Sequence, residues 1–371
     1  MITTKKLAPL FYGEEVDKSY FIGCSLGGRQ GIKAAEMFPE NFDGILAGAP
    51  AVDFNSLYSW RASFFPITGA TGSENFISAD TWTTTIHDEV LKQCDGIDGV
   101  ADGIIEDPTL CQFQPDVLLC GTYDPSVACL NSSQIQVVKA IFNDYTWPNG
   151  SLLFPGMQPG SEVQAANGLY SGAPFSYSQD WFRFAVLEDP NWDPSTYTIS
   201  DALLAIEKDP GSIRTWPLSL SSFESRGGKI LTYHGLQDQQ ITSYNSIRFY
   251  EHLASQMKYS SEQMDNFYRF FRIPGMSHCS GGPGAWVLGQ GGKGSSQGIG
   301  FDKEHNLLAA LVAWVENGSA PETVTGTKFV DDVVAQGVAY RHSHCRYPTR
   351  STYLGSEQDP LEERSWTCEL P

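Results

Sequence analysis

Positive charge is scarce in this sequence. Its 371 residues carry 24 Lys and Arg against 43 Asp and Glu, a formal net charge of −19 at pH 7. Nucleic acids and anionic membranes are both gripped through a basic footprint, so neither is expected as a partner. Long apolar runs are missing too: no stretch approaches the roughly 20 residues that cross a bilayer. The N-terminus, MITTKKLAPLFYG, has no continuous apolar segment and no small-residue cleavage site, so it does not read as a signal peptide. No C-x-x-C pair occurs, which removes the usual zinc spacing. There is no internal repeat.

What is present fits a globular protein. Hydrophobic residues make up 41% and charged residues 18%, outside the range of disordered chains. The acidic surface suits a soluble protein acting on a neutral or weakly acidic small molecule. The eight cysteines are an even number, and many lie in Gly-, Asp- and Pro-rich stretches where disulfides are common. Sequons stand at Asn131, Asn149 and Asn317. Together these features favour an oxidising, extracellular destination, although no leader is visible.

The chain order gives the fold class. Residues 1–12 read as a helix ending near Gly13. The run 19–23 is a short buried strand, 29–38 a helix stopped by Pro39, and 43–48 a second buried strand. Strand, helix and strand within about 30 residues predict a βαβ unit and a parallel sheet. Between about Asp53 and Phe223 the pattern breaks into aromatics, turn residues and four cysteines, the sign of an inserted domain. Strands resume at 229–234 and 267–273, with helices at about 243–257 and 303–316. The Gly- and Ser-rich stretch 289–300 reads as a loop.

Gly23-Cys24-Ser25-Leu26-Gly27 fits G-x-S-x-G. Three fixed positions arise by chance about 0.1 times in a chain of this composition, so the motif gains its weight from context. It follows a strand and opens a helix, as a nucleophile elbow must. Such a turn lifts the serine hydroxyl above the sheet edge and aims a helix N-terminus at a developing oxyanion, with the Leu26 N–H as one donor. A tight strand–helix turn with a buried serine is the alternative. A serine needs a base, and in this fold the order is Ser, then an acid, then His. Asp238 follows the strand 229–234, and His278 follows the strand 267–273. His278 would take the Ser25 proton and return it to the leaving alcohol, while Asp238 fixes the imidazole. His234, ending a strand, reads as a packed core group. His87, His252 and His305 lie in helix-like stretches. His342 and His344 form a pair without an evident third ligand.

Cys24 precedes Ser25 and Cys279 follows His278. A bond between them would pin the two loops together; two unrelated cysteines is the alternative. With these residues in place the chain resembles the tannase and feruloyl esterase family. The runs F-I-G-C-S-L-G-G-R-Q-G and P-G-M-S-H-C-S-G-G-P-G, with Asp238 between them, are close to its paired Cys-Ser and His-Cys pattern. The resemblance extends over essentially the whole chain from about residue 5. It implies a secreted serine esterase of aromatic-acid esters, feruloyl esterase-like before tannase-like. A small-molecule aromatic ester, including one bound in plant cell wall, is the expected substrate. The implied fold is an α/β-hydrolase core, residues 1–52 and 226–371, with a lid at 53–225. The implied disulfides are Cys24–Cys279, Cys94–Cys111, Cys120–Cys129 and Cys345–Cys368.

Two further expectations follow. Asp95, Asp98 and Asp102 crowd three carboxylates into eight residues between glycines. From the residues alone this is either a solvated Asp/Gly turn or a hard-cation site; the spacing is not that of an EF-hand. The resemblance implies a structural Ca²⁺ on these side chains and on the Val100 and Ile104 carbonyls. The second expectation concerns the start of the chain. Only four core strands are counted, and the family implies about four more before the nucleophile. The sequence is therefore expected to be an N-terminally incomplete form, lacking the leader, further core strands and a second oxyanion donor. Such a form could fold poorly or persist as an inactive, phenolic-binding remnant. The aromatic acyl group would stack on lid aromatics, among which Trp60, Trp82, Trp147, Trp181, Trp192 and Trp216 are candidates, mostly as lid core.

Overall fold

The computed structural model describes residues 2–121, 128–291, 294–355 and 357–371. At its centre is a four-stranded sheet in the order β1-β2-β5-β6, with every pair parallel. The strands are β1 (Tyr20–Cys24), β2 (Gly44–Gly48), β5 (Lys229–Gly235) and β6 (Tyr268–Ile273). All of β2 and β6 is buried, and β5 is exposed only at its first residue. Sheets covered on both faces read as continuous apolar runs, which is why these strands were visible in the sequence. Alternate residues feed two cores. Ile45, Ile230, Tyr268 and Phe270 pack on one face, and Leu46, Leu231, Phe271 and Ile273 on the other.

A short helix, α1 (Ile2–Tyr12), precedes β1. The helix α2 (Leu26–Met37) connects β1 to β2. Its buried residues are Gly28, Gly31, Ile32 and Ala35, a stripe at helical period made of small side chains. That stripe lets α2 lie close on the sheet: a Cβ at Gly28 would meet the Gly48 carbonyl oxygen at 2.4 Å. The helix starts three residues earlier than the sequence suggests, directly after Ser25. The helix expected from about residue 303 begins instead at Leu307, because Asn306 caps it by accepting from the Leu308 and Ala309 N–H groups.

The segment between β2 and β5 has its own apolar cluster. The helix α3 (Phe54–Thr68) runs through it, and Trp60, Phe64, Trp82, Phe154, Tyr170 and Phe182 are among its buried members. A small hairpin, β3 (Tyr145–Thr146) and β4 (Leu152–Phe154), lies in the same segment. Two hairpins near the C-terminus were not anticipated: β7 (Thr323–Phe329) with β8 (Val338–Cys345), and β9 (Arg350–Tyr353) with β10 (Trp366–Glu369). Among the described residues no helix is long and apolar enough to cross a membrane.

The parallel arrangement places the site. The ends of β1, β5 and β6 lie at the same edge, since Cys24 pairs with Gly48, Gly48 with Tyr233, and Gly235 with Ile273. The loops holding Ser25, Asp238 and His278 all leave from that carboxyl edge, where open α/β sheets place their ligands.

Candidate active site

Ser25 sits in the elbow between β1 and α2 with φ 63° and ψ −120°. A non-glycine residue there carries on the order of 1–3 kcal/mol of backbone strain, which its surroundings must hold. The Ser25 N–H donates to the Gly48 carbonyl at 2.9 Å, and its own carbonyl accepts from Arg29 and Ala51. Close approach explains one motif glycine: a Cβ at Gly23 would lie 2.7 Å from the Gly27 carbonyl carbon. Gly27 itself faces open space, so the tightness of the turn demands glycine at Gly23 and not at Gly27. Leu26 is the first residue of α2, where a backbone N–H has no acceptor within the helix.

Asp238 is wholly buried. Its Oδ1 accepts from the backbone of Gln240 at 2.7 Å and of Ile241 at 2.9 Å. Its Oδ2 lies 2.7 Å from His278 Nδ1 and 3.0 Å from His234 Nε2. Burial alone would raise this carboxyl. The charge of His278 and the hydrogen bonds from His234 and His278 outweigh it, and hold Asp238 far below the ordinary carboxylate range. With Nδ1 turned to Asp238, the His278 ring presents Nε2 on its other side. The His278 N–H donates to the Gln239 side chain at 3.0 Å, which steadies the loop.

A disulfide joins Cys24 to Cys279, with Cα atoms 6.0 Å apart and 255 residues between them in sequence. It therefore ties the residue before Ser25 to the residue after His278. Cys279 also has a positive φ of 64°. The other three expected pairs are formed as well: Cys94–Cys111, Cys120–Cys129 and Cys345–Cys368.

The segment between β2 and β5 reaches the acid loop through residues that the sequence reading did not single out. Gln158 is fully buried. Its Nε2 donates to the Asp238 carbonyl at 2.6 Å, and its Oε1 accepts from the Ser243 N–H at 3.1 Å. Arg61, also buried, donates from Nε to the Gln240 carbonyl at 2.8 Å, with its guanidinium over the Tyr58 and Phe175 rings.

In the acidic loop, the Asp95 carboxylate accepts from Gly103, Asp98 from Val100 and Asp102 from Ile104. Among the described residues no three His, Cys, Asp or Glu groups converge as a metal cage. The acids nevertheless feel one another. Burial first, then the charges of Glu106, Asp102 and Asp95, push the Asp98 carboxyl up to about 6 against the opposing Val100 hydrogen bond. Glu106 is a fourth acid that the sequence reading passed over. It lies 3.2 Å from His342.

The remaining histidines have local partners. His87 contacts Glu162, His305 contacts Asp302, and His252 stacks on Trp216. Trp60 and Trp82 belong to the core of the segment between β2 and β5; Trp147, Trp181 and Trp192 pack against it.

The chain is similar to known proteins in sequence and in fold. The chain matches the family described as "Tannase and feruloyl esterase" over residues 1–363. It is 57% identical over 343 residues to "Probable feruloyl esterase B-2" of Aspergillus flavus, covering 92% of this chain and 66% of that relative. The chain thus spans about two thirds of that relative's length. A solved esterase of Aspergillus oryzae superposes with a TM-score of 0.95 at 46% identity, covering 99% of this chain and 72% of that one. Feruloyl esterase B of the same organism gives 0.94 at 44% identity, with the same coverage. The fold is accordingly of the α/β-hydrolase type. With the match spanning nearly its whole length, the chain belongs to the tannase and feruloyl esterase family, whose members are carboxylic ester hydrolases.

Proposed function

We propose that this protein is a feruloyl esterase, hydrolysing esters of hydroxycinnamic acids through an acyl-enzyme on Ser25. The single observation that carries this reading is the joint placement of three loops: His278 bonded to a buried Asp238, and the Cys24–Cys279 disulfide holding the His278 loop beside the Ser25 elbow. Relatives named feruloyl esterase B, 46–57% identical over nearly the whole chain, support the same activity.

In this mechanism Ser25 Oγ attacks the ester carbonyl carbon as His278 Nε2 takes its proton. The Leu26 N–H donates to the oxyanion of the tetrahedral intermediate. Collapse breaks the bond to the alcohol, which leaves with the proton from His278. Water then attacks the acyl-enzyme, again deprotonated by His278, and the aromatic acid is released as Ser25 recovers its proton. Asp238 stays ionised throughout and holds the imidazole by Nδ1. Residues 53–225 act as the lid, and their aromatic side chains are the source of the acyl pocket.

The four disulfides suit an extracellular setting, in which the sequons would carry glycans. A structural Ca²⁺ at Asp95, Asp98 and Asp102, with the Val100 and Ile104 carbonyls, fits the chemistry of the donors. All are oxygens, and beyond the burial that chiefly raises the Asp98 carboxyl, Glu106, Asp102 and Asp95 add negative charge that a cation would relieve. The ion would supply rigidity to the loop and no step of hydrolysis.

The test is turnover of methyl ferulate against methyl gallate by the purified protein. Preference for the ferulate is the expected result. Preference for the gallate would make it a tannase, and binding of phenolics without turnover of either ester would remove the catalytic reading.

A further inference from the structure

His234 is the penultimate residue of β5, with no exposed surface, four residues before Asp238. Its Nε2 lies 3.0 Å from Asp238 Oδ2 and 3.0 Å from the Ile241 carbonyl. Both neighbours are acceptors, so Nε2 must carry a proton. Its Nδ1 lies 2.7 Å from Ser246 Oγ, on the helix Tyr244–Met257. With the Ser246 hydroxyl donating to Nδ1, every polar atom of the ring is satisfied.

The two oxygens of Asp238 thus divide four donors. Oδ1 takes the Gln240 and Ile241 backbones, and Oδ2 takes one N–H from each of two histidines. His278 is the only one of the four that changes protonation in the reaction. The backbone donors hold Oδ1 but leave the carboxylate free to rock about that anchor. His234 fixes the other oxygen, the one that His278 uses.

We infer that His234 is a positioning residue of the esterase reaction, holding Asp238 Oδ2 in line with His278 Nδ1 while Ser246 sets its tautomer. The inference rests on the proposed Ser25–His278–Asp238 reading. A cationic ring at this place would compete with the imidazolium of His278 for the same oxygen, whereas a neutral N–H orients the carboxylate without cancelling its charge.

The experiment compares four variants of the full chain. His234→Phe keeps the volume and removes both nitrogens. His234→Gln can place an amide N–H near the position of Nε2, and His234→Asn reaches only the position of Nδ1. Ser246→Ala frees the tautomer. Turnover of methyl ferulate should fall by about 10–100-fold in kcat for the Phe and Asn variants, the range expected for a hydrogen bond to a charged group, with KM nearly unchanged. The Gln variant should regain most of the loss, and Ser246→Ala should lie between. A purely structural role predicts loss of stability with kcat of the folded fraction unchanged.

The second readout is the downfield proton NMR signal of the His278 Nδ1–H, which does not need turnover. It should survive in Ser25→Ala and His234→Gln, and shift or vanish in His234→Phe and His234→Asn. Normal turnover by Ser25→Ala would overturn the catalytic reading. An unchanged signal together with unchanged kcat in both the Phe and Asn variants would overturn the role of His234. If the Phe variant does not fold, the Gln and Asn pair decides the matter.

Discussion

The loop that carries Ser25 and the loop that carries Asp238 leave the same edge of one sheet, yet their construction is opposite. Ser25 is strained at φ 63° and partly exposed, and the Leu26 side chain beside it faces solvent. Asp238 is wholly buried, has four donors on its carboxylate, and is gripped by Gln158 across its own carbonyl. The difference follows from what each must do. A nucleophile has to reach substrate, so its backbone is bent outward and its hydroxyl left free to move. An orienting carboxylate must not move at all, so every lone pair and the backbone around it are occupied.

The largest expected effect breaks the comparison at the nucleophile. Ser25→Ala should lower kcat by about 10⁴-fold or more in every active form of the protein, because among the described residues no other hydroxyl stands at a strand–helix elbow. Stability should barely change, since alanine keeps the strained φ. Ser25→Gly should be equally inactive yet more stable than Ser25→Ala by about 1 kcal/mol, as glycine adopts this conformation without a Cβ clash. Activity of either variant within tenfold of the parent would remove Ser25 from the mechanism, and equal melting of the two would remove the strain.

Next in size is the covalent tie between the two sides. Cys24 and Cys279 close a loop of 255 residues, for which the chain-entropy relation gives about 5 kcal/mol of stabilisation. The double variant Cys24→Ala/Cys279→Ala should melt well below the parent. It should also lose kcat at temperatures where it is still folded, because the bond holds the Ser25 elbow beside the His278 loop. A folded double variant with parental kcat would show that packing alone aligns the two loops.

Much of this candidate site could be read from the sequence because each proposed catalytic residue is tied to a local pattern. Ser25 lies in a glycine-flanked turn after an apolar run, and Asp238 and His278 follow runs of the same kind. Two flanking cysteines made the combination distinctive. The buried strands were legible because β2, β5 and β6 are buried almost throughout and rich in large apolar residues. The hairpin β7–β8 was not, because β7 reads Thr-Val-Thr-Gly-Thr-Lys-Phe, with only two large apolar residues and an internal glycine. His234 was read as a packed core residue, which it is. What sequence could not supply is that its Nε2 shares an oxygen with His278; the only hint was its position four residues before Asp238. Gln158 gave no signal at all, since it lies 80 residues from Asp238 and its role exists only once the chain has folded.

A smaller effect sharpens the comparison from the side of the acid. Gln158→Ala would leave the Asp238 carbonyl and the Ser243 N–H buried without partners, at a cost of about 2–4 kcal/mol in stability. The loss should appear as a lower denaturant midpoint, with an additional drop in kcat of a few fold as the acid loop loosens. The equivalent substitution at Gln239, which holds the backbone of the partly exposed His278, should cost less. A larger loss at Gln239 than at Gln158 would reverse the assignment of the rigid side.

The smallest effect concerns the acidic loop, where the comparison can be made by pH. Asp98 has its carboxyl pushed up to about 6 from an ordinary 3.8, with burial as the main cause and neighbouring acids adding to it. A raised carboxyl binds its proton more tightly in the folded state than in the unfolded one. In metal-free protein its contribution is therefore most favourable below pH 3.8 and diminishes as pH rises through about 6. A bound Ca²⁺ would act in the other direction, since it would need the carboxylate and bind more tightly once Asp98 has ionised. The melting-temperature difference between calcium-loaded and chelated protein should thus be small near about pH 4.5 and grow toward about pH 7. The initial rate on methyl ferulate at neutral pH should change much less than the melting temperature, because no step of hydrolysis passes through the ion. Asp98→Asn should flatten the pH dependence by removing the titrating group. No calcium-dependent shift near neutral pH would eliminate the site, and a shift of constant size across this range would show that Asp98 is not among its ligands.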